Sequence, residues 1–228
     1  MATALKNNEI GSEHKTILLR GAKAIDVNLS EQQIELLLGY LALFAKWNKT
    51  YNLSAVRDSK QMVVRHLLDS LTVVPYVQSY TKQHVIDVGT GGGLPGIVLA
   101  IMFPEKQFTL LDSNGKKTRF LFQVKTQLKL DNVQVENCRV ESHQPGQPYS
   151  AVISRAFASL KDMVDGCHHL LAEDGLFLAM KGLYPTDELS ALEKRYKVSD
   201  SHQLHVPGDD GERHLLVLTC DSSYSDNN

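Results

Sequence analysis

The chain has little of what marks a secreted or membrane-spanning protein. Its 228 residues include only three cysteines, Cys138, Cys167 and Cys220, which form neither a CxxC pair nor an even framework. That scatter excludes a disulfide scaffold and fits a reducing, cytoplasmic setting. No apolar stretch approaches the ~20 residues a membrane span needs, and Met1 to Lys15 is polar. The apolar run Ile97 to Phe103 suits a buried core element. Charge of one sign is lacking too: 24 Lys and Arg against 26 Asp and Glu leave a net charge of -2. The whole-molecule field therefore gives no reason to expect nucleic acid, and any RNA contact must come from a local patch. His168 and His169 are adjacent, so they cannot share a helix face at ligand spacing, and no metal site is expected.

What is present is an ordinary globular composition, 43% hydrophobic and 22% charged, enough for one large core with a helical appendage. The first eighty residues read as helices. Ser30 followed by Gln33 forms a capping box, and Ile34, Leu37, Leu38, Leu41, Phe44 and Ala45 then recur at helical spacing, with Trp47 near the end. A second amphipathic helix is expected from about Lys60 to Val77, with Pro75 near its C-terminal end. After Lys82, β-rich runs alternate with helical ones. Strands are expected at His84–Val88, Phe108–Leu111, Val133–Val135, Ala151–Ser154 and Leu176–Met180. Helices follow the Gly-rich turn, run to Leu130, span about Ser159 to Leu171, and continue through Arg195. This order implies a mostly parallel sheet covered on both faces. Gln203–Val206 and His214–Thr219 are separated by too few residues for a helical crossover, so that pair should be antiparallel. The expected division is a helical region over 1–80, an α/β domain over 81–220 and a frayed tail over 221–228.

The strongest chemical signal is Val85-Ile86-Asp87-Val88-Gly89-Thr90-Gly91-Gly92-Gly93-Leu94-Pro95-Gly96. A strand runs through glycines into an apolar helix starting near Leu94. Such glycines allow positive φ and let a ligand approach the backbone, while free N–H groups at the helix start complete a cradle. Gly89, Gly91 and Leu94 are the candidates there. Asp112 ends the next strand about twenty residues on, where a carboxylate can accept hydrogen bonds from ribose hydroxyls. These two features fit NAD and S-adenosylmethionine alike. The antiparallel last pair favours the methyltransferase sheet over the dinucleotide fold, and Glu141 stands where methyltransferases place groups around adenine. The fold expected is therefore α/β, a class I S-adenosylmethionine-dependent methyltransferase with a Rossmann-like sheet and an N-terminal helical extension.

A family resemblance sharpens this. Lys46-Trp47-Asn48, Tyr51-Asn52-Leu53, Arg65-His66-Leu67-Leu68-Asp69-Ser70, Asp87 to Gly91, Leu94-Pro95-Gly96, Leu110-Leu111-Asp112-Ser113, Ser154-Arg155-Ala156-Phe157, Met180-Lys181-Gly182 and Gly211-Glu212-Arg213-His214 resemble the bacterial small-subunit rRNA methyltransferase G family, also called glucose-inhibited division protein B. The likeness runs in order from about residue 15 to 219. It departs at Gly92, where the family's cradle carries proline, and a smaller residue should loosen the loop. The resemblance implies S-adenosylmethionine as cofactor, held at Gly89, Leu94, Val140, Glu141 and Arg155, with Val140 and Arg155 resting mainly on the family. It implies methylation of 16S rRNA at guanine N7, guanine 527 being the implied site, with the RNA or the small ribosomal subunit as partner.

Guanine N7 carries a lone pair and no proton, so no catalytic base is named. This agrees with two absences: no Asn/Asp-Pro-Pro-Tyr motif follows the fourth strand, and no Pro-Cys dipeptide exists. Lys116, Lys117 and Arg119 at the start of a helix, with Arg65, Arg139, Lys181 and Arg213 at element ends, are the RNA-binding candidates. A monomer is expected, since no coiled-coil seam occurs. A small-molecule methyltransferase of the same fold and a non-catalytic or NAD-dependent nucleotide binder stay open as alternatives.

Overall fold

The computed structural model describes residues 10–221; of the tail expected to fray, 221–228, all but Asp221 lies outside the described residues, as do the first nine residues. The first described element is α1, Ser12–Ala24, which falls in the region expected to be helical but was given no bounds of its own. Its signal is modest but present: Leu18 and Ala22 are buried at i and i+4. Gly21 lies between them, where a Cβ would stand 2.3 Å from Leu68 Cδ1. Helix α2, Glu31–Tyr51, starts as expected, with Ser30 Oγ accepting from Gln33 N and Gln33 Oε1 accepting from Ser30 N. Asn52 ends it in the left-handed region at φ +52°.

The single amphipathic helix expected over 60–77 is broken. α3, Ser59–Met62, passes into a π-helical segment, Val63–Leu68, and a last turn, α4, Asp69–Leu71. Pro75 opens a new helix, α5, Val74–Tyr80, rather than closing the old one, because proline's fixed φ and missing N–H suit a first turn. The wider π turn is a local insertion that apolar periodicity cannot register.

The remainder alternates strand and helix: β1 His84–Val88, α6 Gly96–Met102, β2 Gln107–Leu111, α7 Gly115–Leu128, β3 Val133–Glu136, β4 Tyr149–Ser154, α8 Leu160–Cys167, β5 Leu171–Lys181, α9 Thr186–Ser190, β6 Tyr196–Gln203 and β7 His214–Cys220. The sheet order is β3-β2-β1-β4-β5-β7-β6. The pairs from β3 to β5 are parallel, and β7 enters antiparallel to both β5 and β6. The mostly parallel sheet and the antiparallel last pair are thus as expected. Alternation divides the core: Val85, Leu110, Ile153, Leu178 and Val217 pack with α1, α2, α6 and α7, while Ile86, Leu111, Val152, Phe177 and Leu218 pack with α8. Period-two side-chain geometry makes neighbouring residues face opposite ways.

Three boundaries moved. The eighth helix ends earlier, since 168–170 tighten into a 3-10 turn and β5 starts at Leu171. The helix expected through Arg195 is only the five residues of α9. The strand expected at Gln203–Val206 lies upstream, at Tyr196–Gln203. β6 is an edge strand, and its polar run Ser199-Asp200-Ser201-His202 hides it from a hydrophobicity reading while discouraging edge pairing. Leu204 and Val206 are buried from a loop instead. No helix among the described residues is long and apolar enough to cross a membrane.

Candidate functional site

Strand order reverses between β1 and β4, and open α/β sheets bind ligands beyond the strand carboxyl ends at that point. A cleft of about 300 Å³ opens there, lined by Gly89, Asp112, Lys117, Arg139, Val140, Glu141, Ala156 and Phe157 among others. A hollow of about 370 Å³ beside Ser30, Pro104, Leu130 and Asn132 lies near residues that precede β2 and β3, at the opposite edge.

The turn after β1 carries positive φ at Gly89, Gly91 and Gly93, but the three glycines do different things. A Cβ on Gly89 would stand 2.6 Å from Ala156 Cβ, and one on Gly93 2.5 Å from Ile97 Cγ1. Those two permit close packing. A Cβ on Gly91 would meet nothing nearer than Lys117 Nζ at 3.9 Å, so Gly91 alone faces open space. Its N–H donates to Asp112 Oδ2 at 2.9 Å, while Asn114 N donates to Asp112 Oδ1 at 2.8 Å. Lys117 Nζ lies 3.5 Å from the same carboxylate. Asp112 therefore ties the cradle to the start of α7 with both oxygens and keeps spare lone pairs.

Asp87, given no role at the sequence level, organises the loop from below. Its Oδ2 accepts from Thr90 Oγ1 at 2.7 Å and from Gly96 N at 2.8 Å, while Oδ1 is buried without a partner. Burial pushes its pKa up to about 6, against lowering by those hydrogen bonds and by Arg155. The signal available was an acid inside an apolar strand immediately before glycines. Leu94 has its side chain in the core, 3% exposed, and does not line the cleft. The loosening expected at Gly92 is absent: a Cβ there would lie 2.4 Å from Phe44 Cε2. Tyr40 Oη donates to Gly92 O at 2.6 Å. The aromatic pair on α2 holds the loop from behind.

The structure thus gathers Gly89, Asp112, Val140 and Glu141 on one cleft, with Gly91 beside it. Arg155 is not on its lining. Its Nη1 pairs with Asp69 Oδ2 at 2.9 Å, and Arg213 Nε pairs with Asp69 Oδ1 at 2.9 Å. Asp69 is 3% exposed and so is clamped between two guanidiniums. The family motif contains Asp69 but gives it no role, and its partners lie 86 and 144 positions away. Arg65 and Arg213 both approach Asp209, at 3.3 and 3.6 Å. Lys181 pairs with Glu188 at 2.9 Å and reaches the carbonyls of Phe157 and Ala158. Lys117 and Arg139 line the cleft itself. Lys116 and Arg119 are exposed on α7.

Solved structures share this fold. An S-adenosylmethionine-dependent methyltransferase from Geobacter sulfurreducens, solved with S-adenosyl-L-homocysteine, aligns at TM-score 0.54 and 10% identity over 78% of this chain and 97% of that one. A counterpart from Thiobacillus denitrificans gives 0.53 at 10% identity, covering 78% of this chain and 98% of that one. At such identity the likeness defines the class of fold, the Rossmann-like methyltransferase sheet. The sequence goes further. The profile of rRNA small subunit methyltransferase G matches residues 33–216. "Ribosomal RNA small subunit methyltransferase G" of Cellvibrio japonicus (strain Ueda107) is 59% identical over 92% of this chain and 97% of its own length. The protein of the same name from Ectopseudomonas mendocina (strain ymp) is 56% identical over 92% of this chain and 97% of its own. The chain belongs to the rRNA small subunit methyltransferase G family.

Proposed function

We propose that this protein, acting in the cytoplasm, methylates N7 of a guanine in 16S rRNA, guanine 527 by family resemblance, with S-adenosylmethionine as donor. The observation that carries the cofactor reading is an open glycine position, Gly91, hydrogen-bonded to a buried carboxylate, Asp112, that lines the cleft. The residues fit such a ligand. Gly91 leaves the backbone open, Gly89 lines the cleft, Asp112 has acceptor capacity for ribose hydroxyls, and Val140 with Glu141 supplies an apolar and a polar neighbour for an adenine. When bound, S-adenosylmethionine supplies an electrophilic methyl group on a sulfonium.

The remaining work falls to the chain's own residues. N7 of guanine has a lone pair in the ring plane and no proton, so the site needs no general base. The cleft and the loop 155–158 have to orient the base and exclude water. Phe157 lines the cleft, and Lys181 fixes its carbonyl from β5. Arg155, through Asp69, anchors the start of that loop to α4. Lys117 and Arg139 line the cleft and Lys116 and Arg119 are exposed on the same helix as Lys117, a set of cations suited to RNA phosphates. The test is nucleoside analysis of 16S rRNA from cells lacking the gene. One N7-methylguanosine should vanish and return with the intact gene; an unchanged nucleoside profile overturns the reading.

A further inference from the structure

Helices α2 and α7 pack antiparallel: a Cβ on Gly39 would lie 3.1 Å from Leu128 Cδ2, while Trp47, two turns on, meets Phe120 at 5.5 Å. The C-terminal end of α2 therefore lies toward the first turns of α7, beside the cleft that Lys117 lines. A chain of rings leads outward there. Phe44 meets Phe120 at 5.8 Å, Phe120 meets Trp47, and Trp47 meets Tyr51 at 4.8 Å with a 33° tilt. The last ring is not buried; Tyr51 is 45% exposed. Charge along two segments here is of one sign, with Asp58 and Asp112 just outside them. Residues 36–57 and 115–128 hold Lys46, Lys49, Arg57, Lys116, Lys117, Arg119 and Lys125 and no Asp or Glu, in a chain of net charge -2. Arg57 donates to Asn48 O and to Asn52 Oδ1, which keeps a cation on the turn beside Tyr51.

We propose that this end of α2, with the start of α7, is a nucleobase-stacking surface for single-stranded RNA, Tyr51 on Trp47 forming the platform and Lys46, Lys116 and Arg119 the phosphate-binding rim. The proposal rests on the reading of an RNA substrate and adds to it where flanking nucleotides dock. Its chemistry is general: every base offers a π-face, aromatic side chains stack with it, and neighbouring cations track the backbone. An exposed tyrosine resting on a tryptophan that is itself held by the core is a preorganised version of that contact, with little side-chain freedom left to lose.

The chain supplies its own probe, because Trp47 is its single tryptophan. The full-length protein is titrated with a short oligoriboadenylate and with its abasic counterpart of equal charge, following Trp47 emission. The proposal expects quenching by the oligoriboadenylate and none by the abasic chain. Tyr51→Ala should weaken oligoriboadenylate binding about tenfold, with Tyr51→Phe within about twofold of wild type and cofactor affinity unchanged in both. Equal binding of the abasic chain, equal binding of polyglutamate as a mimic of an acidic protein face, or wild-type RNA affinity in Tyr51→Ala overturns it. The rRNA reading fails separately: protein that quenches with oligoriboadenylate yet transfers no methyl group to 16S rRNA keeps the surface and loses that substrate.

Discussion

Along β1 and β2 the crevice is shaped by backbone, whereas along β4 and β7 it is latched by side chains. On the first side, glycines at positive φ and two carboxylates accepting N–H and O–H donors set the contour. On the second, Asp69 holds Arg155 and Arg213, and Lys181 holds Glu188. The first side is sensitive to volume. The second is sensitive to charge, because removing one partner strands the others in a partly desolvated place.

The largest expected effect tests the backbone side. Gly91→Asp puts a side chain and a negative charge into the open glycine position of the turn after β1, so S-adenosylmethionine affinity should fall at least about a hundredfold, or ~2.7 kcal/mol, with circular dichroism unchanged. Wild-type affinity by calorimetry would remove Gly91 from the site. On the latched side, Asp69→Ala should cost about 2–3 kcal/mol in urea unfolding, below the roughly 3–5 kcal/mol of fully buried broken pairs because both guanidiniums are about a third exposed. A loss below ~0.5 kcal/mol would mean the clamp is ornamental to folding.

Asp112→Ala should weaken S-adenosylmethionine and S-adenosylhomocysteine alike by about 1–3 kcal/mol, because Gly91 N and Asn114 N lose their acceptor as well as any ribose contact. An unchanged dissociation constant returns Asp112 to a purely structural carboxylate. Arg155→Ala should cut methylation well over tenfold, more than ~1.4 kcal/mol, and Arg155→Lys should rescue little because the planar fork is lost. Weakened cofactor binding in that variant would place Arg155 on the ligand. Slow single turnover with normal binding would place it in the alignment of the loop, and full activity would remove it from the site.

The smallest effect comes from acid. Asp87, pushed up to about 6 by burial, carries a cost that is present above pH 6 and disappears as pH falls toward 4. His66, pushed down to about 4 by burial, contributes stability that is full above about pH 6.5 and is lost as pH falls toward 4. The two slopes oppose each other, each at most about 1.4 kcal/mol per pH unit. Asp87→Asn removes one of them. The variant should then lose stability on acidification from pH 6 to 4 faster than wild type, by about 1 kcal/mol per unit; equal slopes would show that the buried charge is not at Asp87.

Legibility follows the same divide. The placement of Gly89, Gly91 and Asp112 at the turn and strand end is legible because it arises within a strand–turn–helix unit and the strand after it, where residue type and spacing carry the geometry. Asp87 lay in the same motif and was overlooked because its work is done by one oxygen beneath the loop. β6 was displaced because an edge strand has little apolar pattern to read, and α3 was misread because a π turn breaks the helical period.

The sequence by itself determined the order of strands and helices from β1 onward, the capped start of α2, the glycine-rich turn and the antiparallel entry of the last strands. Those are local matters of periodicity, turn chemistry and connection length. Only the tertiary structure decided that Arg155 and Arg213 share Asp69, that Phe44 and Tyr40 brace Gly92, and that Tyr51 surfaces on Trp47 beside a cationic helix. Each joins elements whose contact depends on how helices cross the sheet, and a contact between positions far apart in the chain leaves no period in the sequence.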